Sequence, residues 1–255
     1  MDENREKIWQ TGLTSETAEA LLAQNGRNEL AEARGKNALQ MFWAQLNDPL
    51  IYVLLAAGAV SACLGEVADA AIIFVVDSSA SNQKMLPEET KYIKSLCSIL
   101  DPEDEIKILK VSEKSYLIYE GSPADSSGIL SALKEFTKYN ENDYGTAYGE
   151  ALKKAFEHVL TMKKEGFVPS IVVVGDLENE GAAEKQINWE TLPENVKNVQ
   201  KYAPDLAMMF VYAHPEKLDL VKSKLNPVLG EKKLIIANKE NVDKANRRFL
   251  EAIGR

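Results

Sequence analysis

Ala71-Ile72-Ile73-Phe74-Val75-Val76, followed at once by Asp77-Ser78-Ser79-Ala80-Ser81-Asn82, is the stretch on which the reading of this 255-residue chain turns. The first six residues are unbroken apolar and mostly β-branched, the pattern of a short strand buried on both faces. The abrupt change to Asp and Ser marks the point where the chain leaves the core at the strand's carboxyl end. Similar runs recur downstream. Residues 105–111 and 115–120 read as two strands joined by a short turn, 170–175 as a second core strand through Ile171-Val172-Val173-Val174, 205–212 as a third, and 233–237 as the last. Helical patterns fill the intervals at 87–100, 126–139, 146–164, 192–201, 215–225 and 241–253, with Pro87 in a first turn, where its missing N–H costs nothing. This alternation predicts an α/β fold: a Rossmann-like, doubly wound, mostly parallel sheet flanked by helices, with an N-terminal helical extension.

In such sheets function gathers at the carboxyl ends of the strands. Asp77, Ser79 and Ser81 follow the first strand. Gly175-Asp176-Leu177-Glu178 follows the second core strand, and Asn142-Asp143-Tyr144-Gly145-Thr146 lies in a loop between them. One edge thus collects two carboxylates, Asp77 and Asp176, and three hydroxyls, Ser79, Ser81 and Thr146. Hard oxygen donors of this kind suit Mg2+ or Mn2+. The alternate spacing Asp77-x-Ser79-x-Ser81 lets one tight loop turn several oxygens toward a point.

Composition narrows the chemistry further. The net charge of −9 argues against nucleic acid as a partner, since phosphates call for a basic face. His158 and His214 stand alone, and Cys63 and Cys97 have no ligand or redox partner nearby, so both cysteines read as buried small hydrophobes. A zinc site is not expected from them, and the chemistry falls to carboxylates and hydroxyls.

Asp77-x-Ser79-x-Ser81 after an apolar strand, a Thr in a Gly-containing loop before a long helix, and an Asp after the next core strand resemble the metal-ion-dependent adhesion site of von Willebrand factor type A domains. The resemblance covers residues 70–255. It implies that Ser79 and Ser81 ligate the metal directly, and that Thr146, Asp77 and Asp176 act directly or through water. It also implies a non-enzymatic binding module with one coordination position open to a carboxylate from a protein partner. Many members carry Asp-Gly where this chain has Asp176-Leu177-Glu178; Glu178 adds negative charge that can tune the metal or take the open position. Two other readings stand beside this one. Phosphotransferases of the haloacid dehalogenase type also place an Asp after the first strand, but need a second Asp where Ser79 stands. No GxGxxG follows the strand, which weakens dinucleotide binding.

Residues 1–69 follow a different pattern. A short helix is expected from Thr14 to Gln24, with Thr14 and Ser15 as caps, Leu21 and Leu22 on its apolar face and Gly26 as its stop. Pro49 to Gly65 contains no charged residue. As a helix that run covers roughly 25 Å, just short of a bilayer core. Met41 to Leu46 can lengthen it, so 42–64 is the candidate transmembrane helix, and a buried hairpin helix is the soluble alternative. Arg27, Arg34 and Lys36 precede it and favour a cytoplasmic N-terminus, with the following domain outside. Gly12-Leu13-Thr14-Ser15, Asn25-Gly26-Arg27-Asn28-Glu29-Leu30 and Phe42-Trp43-x-Gln45-Leu46-x-Asp48-Pro49-Leu50 resemble the N-terminal region of P-type cation-transporting ATPases, nearest the calcium-pump branch. That resemblance covers about residues 8–76 and implies a membrane setting. The aspartyl-phosphate sequence Asp-Lys-Thr-Gly and the Thr-Gly-Glu loop do not occur here, so transport itself is not expected. Residues 70–76 serve both resemblances and are expected to be strand. The join near Ala70 has the look of two unrelated segments fused, and a first segment without a working role is the alternative to a membrane tether.

Overall fold

The computed structural model describes residues 12–27, 37, 41, 51–53, 68–136, 145–178 and 180–255. The chain divides into two compact units, 1–65 and 66–255.

In the first unit, α1 (Ser15–Asn25) matches the expected helix to within a residue. Gly26 ends it at φ 72°, a left-handed conformation that glycine adopts without a Cβ penalty. The expected cap differs in detail. Thr14 occupies the N-cap position, but its hydroxyl meets Thr17 Oγ1 at 2.7 Å instead of a backbone N–H. Leu21 and Leu22 are exposed, and no residue of α1 is buried. Of the candidate transmembrane stretch 42–64, all but 51–53 lies outside the described residues, as does Cys63; residues 51–53 are helical. Among the described residues no helix is long and apolar enough to cross a membrane.

The second unit is built on β1 (Ala70–Asp77), whose eight residues are all buried. It runs parallel to β2 (Glu105–Val111) on one side and to β4 (Val168–Val174) on the other. β5 (Ala207–Val211) and β6 (Leu234–Ala237) extend the sheet in parallel, while β3 (Ser115–Gly121) pairs antiparallel with β2 at the far edge. The order is β3-β2-β1-β4-β5-β6. This is the mostly parallel, helix-flanked sheet that the apolar alternation implies.

Alternate residues of β1 face opposite layers, as a pleat of period two requires. Ala71, Ile73 and Val75 pack with α4 (Tyr148–Lys164), α5 (Leu192–Gln200) and α6 (Pro215–Leu229). Ile72, Phe74 and Val76 pack with α2 (Leu86–Cys97), α3 (Ser126–Glu135) and α7 (Val242–Ala252). Each fully buried Ile, Val or Phe adds about 1.5–3 kcal/mol of hydrophobic stabilisation. Cys97 sits in the second layer, where burial pushes its thiol up to about 12. It behaves there as a small hydrophobe.

At the base of β1, away from Asp77, Asp104 is buried and accepts the Ala70 N–H at 2.7 Å. Arg255 bonds the same carboxylate and also reaches Asp69 at 3.3 Å and Asp101 at 3.4 Å. This clasp fixes the entry to the central strand.

Candidate metal centre

Asp77 ends β1 with its side chain fully buried. Its Oδ1 accepts the Ser79 N–H at 2.7 Å, and its Oδ2 accepts the Tyr148 hydroxyl at 3.1 Å. Ser78 turns the other way: its N–H and its hydroxyl both donate to Val111 O at 2.8 Å and tie the loop to β2. The Ser79 and Ser81 hydroxyls meet at 3.0 Å. Within Asp77-x-Ser79-x-Ser81 the two hydroxyls thus lie together, and Ser81 is the exposed one of the pair.

Asp176 lies beyond β4, half-buried. Its Oδ1 accepts the Glu178 N–H at 2.8 Å, and its carbonyl accepts the His214 N–H at 3.1 Å. Thr146 is buried ahead of α4. The helix read from the sequence as starting at Thr146 begins at Tyr148, because the Thr146 N–H donates to Glu180 O and the Ala147 N–H to Ser112 O, both at 2.8 Å. Among the described residues the buried Thr146 hydroxyl has no hydrogen-bond partner. Loop residues 142–144 lie outside the described residues.

The electrostatics are those of crowded anions. Burial pushes the Asp77 carboxyl up to about 7; the Ser79 N–H opposes this, and repulsion from Asp176 adds to it. A buried carboxylate beside another carboxylate is costly unless a cation or proton joins it. Among the described residues no ion pair engages Asp77 or Asp176. A buried hydroxyl with no partner and a buried carboxyl with no ion pair among the described residues are the two features that a hard divalent cation would satisfy, so the residues present fit such an ion. Among the described residues no three His, Cys, Asp or Glu side chains cluster to hold a metal, so any centre here depends on the hydroxyls.

Glu178 carries an ion pair at the edge of this loop. Lys217 of α6 holds its carboxylate at 3.2 Å. The Leu that replaces glycine in this loop also has a conformational meaning. Leu177 has φ 61°, a left-handed conformation that glycine would take freely and that costs an L-residue about 1–2 kcal/mol.

Three contributors are missed by reading motifs alone. Tyr148 bonds Asp77 and receives the Leu177 N–H at 3.4 Å. Burial, then the Asp77, Asp176 and Glu89 carboxylates, raise its phenol well above its ordinary value, so it stays a donor. Asn82 donates to Asp77 O at 3.1 Å and to both oxygens of Glu89, at 2.9 and 2.8 Å. Glu89 is fully buried in α2, and its carboxyl rises to about 8, mainly through burial, with Asn82 opposing and Asp77, Asp176 and Glu88 adding to the rise.

Comparison with known proteins gives two separate matches. Residues 72–179 match the family described as "von Willebrand factor type A domain", and residues 6–61 match "Cation transporter/ATPase, N-terminus". The second unit is similar to the solved structure of von Willebrand factor type A from Catenulispora acidiphila, at 12% identity and a TM-score of 0.50, covering 73% of this chain and 43% of that one. It is also similar to the conserved hypothetical protein BatB from Bacteroides thetaiotaomicron, at 14% identity and a TM-score of 0.51, covering 73% of this chain and all of that one. At these identities the likeness is one of fold. The N-terminal segment is 49% identical over 67 residues to Calcium-transporting ATPase 1 of Bacillus cereus, which is 26% of this chain. The match spans only 8% of that transporter's length. Both families read from the sequence, the type A domain and the cation-transporter N-terminus, are thus borne out.

Proposed function

We propose that this chain, whose residues 72–179 match a von Willebrand factor type A domain, is a protein-binding module that works through a divalent cation and not through catalysis. In this reading Asp77, Ser79, Ser81, Thr146 and Asp176 hold Mg2+ or Mn2+. The bound ion would supply a positive point for a carboxylate offered by a protein partner. The observation that carries the reading is the buried Thr146 hydroxyl, without a partner among the described residues, on the same edge as the hydrogen-bonded Asp77–Ser79–Ser81 loop.

The test is a thermal melt of the wild type and Asp77→Ala in EDTA, Mg2+, Mn2+ and Ca2+. At a hundredfold excess of ion over its dissociation constant, binding stabilises the folded state by about 2.7 kcal/mol. For a domain of this size that is a rise in Tm of roughly 5–10 °C, absent in Asp77→Ala. A melting temperature that ignores all four conditions in the wild type would sink the reading.

The likeness of residues 6–61 to cation-transporter N-termini supports a second part of the proposal. Residues 42–64 tether the module to a membrane as a single pass, with the basic residues before them on the cytoplasmic side, and the chain does not itself transport cations. The full chain is then expected in the membrane fraction, resistant to alkaline carbonate. Deleting residues 1–69 should release it to the soluble fraction with its Mg2+ response intact. A full chain that stays soluble contradicts the tether and favours a first segment without a working role.

A further inference from the structure

We propose that Tyr148 is a positioning residue of this centre, locking the Asp77 carboxylate to the backbone of the loop that carries Asp176, and that this lock selects Mg2+ over Ca2+. The inference rests on the metal-binding reading above and assigns part of it to a residue outside the oxygen set.

A phenol has one proton, and Asp77 Oδ2 receives it at 3.1 Å, while the Leu177 N–H approaches the same phenol oxygen at 3.4 Å. Asp77 Oδ1 is fixed independently by the Ser79 N–H. Both oxygens of the carboxylate are therefore anchored, and the group cannot swing. The anchor is rigid because the Tyr148 ring is fully buried in the layer that also holds Val75, Val173 and Leu177. It is also uncharged, so it orients the carboxylate without repelling a cation, as a lysine in its place would. At its other end the phenol touches a backbone held at φ 61°, between Asp176 and Glu178. A small shift at Asp77 is thus passed to the loop that presents the second carboxylate.

A fixed carboxylate favours the smaller ion. Mg2+ demands near-ideal octahedral geometry, whereas Ca2+ accepts irregular and variable oxygen shells. Loosening Asp77 should therefore penalise Mg2+ more than Ca2+. Loss of a residue that orients a metal ligand typically lowers affinity by roughly 10- to 100-fold.

The experiment is calorimetric titration of the full chain, wild type and Tyr148→Phe, with MgCl2 and with CaCl2, joined to amide hydrogen exchange at Leu177. Phenylalanine keeps the ring and removes only the hydroxyl. The expected result is Mg2+ affinity lowered by roughly 10- to 100-fold, a smaller loss for Ca2+, and Mg2+-dependent protection of the Leu177 amide in the wild type alone. Unchanged Mg2+ affinity in the variant overturns the inference. So does an equal loss for both ions, which would mean mere support of the fold. If the variant does not fold, the wild-type exchange decides by itself: a Leu177 amide indifferent to Mg2+ overturns the coupling. A wild type that binds neither ion fails at the earlier step and removes the metal reading itself.

Discussion

Gly175→Ala is expected to lower the stability of the second unit by roughly 4 kcal/mol, a fall in Tm of roughly 10 °C, and to abolish the response to Mg2+. A Cβ at this position would lie 2.2 Å from the Tyr148 hydroxyl and 2.5 Å from Asp77 Cβ, and the backbone φ of 144° disfavours any side chain. Neither neighbour can give way cheaply, since each is fully buried and each is bonded to the other. Gly166→Ala separates the two costs, because Gly166 has φ 100° with no atom near its would-be Cβ. It should lose only the conformational part, about 1–2 kcal/mol, and keep its Mg2+ response. Equal losses in urea unfolding of the two variants would refute the steric account.

Glu89→Gln is expected to stabilise the metal-free protein by roughly 3 kcal/mol above pH 8 and to change little near pH 4. The sign follows from the folded state holding a proton that the unfolded chain gives up. Glu89 rises from 4.5 to about 8, and Asp77 from 3.8 to about 7. Each contribution is fully present below the unfolded value and is lost as pH climbs to the folded one. In EDTA the wild type should therefore weaken steadily from about pH 4 to pH 8, as Asp77 and Glu89 become ionised together. Glutamine keeps an acceptor for Asn82 and removes one of those charges. Urea unfolding at pH 5, 7 and 9 measures the slope; a variant with the wild-type pH profile would contradict it.

These two positions show how far the sequence could be read. The unbroken run of residues 71–76 is fully buried as the central strand, because no polar side chain interrupts it and helices cover both faces. The places of Asp77 and Asp176 were legible for the complementary reason: carboxylates that follow an apolar strand must stand at its exit. Their supports were harder to see. Glu89 shares a helical stripe with Leu86, Ile93 and Leu96, but an acidic residue in a helix's first turn reads as ordinary, so its burial left no signal. Tyr148 falls on a stripe with Ala151, Leu152 and Ala155, where an aromatic reads simply as core. That its hydroxyl reaches Asp77 depends on the register between β1 and α4, elements seventy residues apart, which no local pattern encodes. The same limit applies to Leu177. Its left-handed backbone is set by the turn between β4 and His214 and not by leucine's own preference. In the first unit, Leu21 and Leu22 gave α1 an apolar face by spacing, yet that face is exposed. Spacing specifies which residues share a side, not whether anything covers it.

The clasp of Arg255 on Asp69 and Asp104 has a topological consequence. Residue 69 leads into the central strand and residue 255 lies beyond the last helix, and the two are joined by a 3.3 Å contact. Residues 69 and 255 of the second unit therefore lie side by side. Closely spaced entry and exit points are a property shared by domains that tolerate insertion and permutation. The eight residues of β1 separate that entry from Asp77 by about 25 Å. The strand's two ends thus lie on opposite sides of the second unit, the ion-paired entry at one and Asp77 at the other.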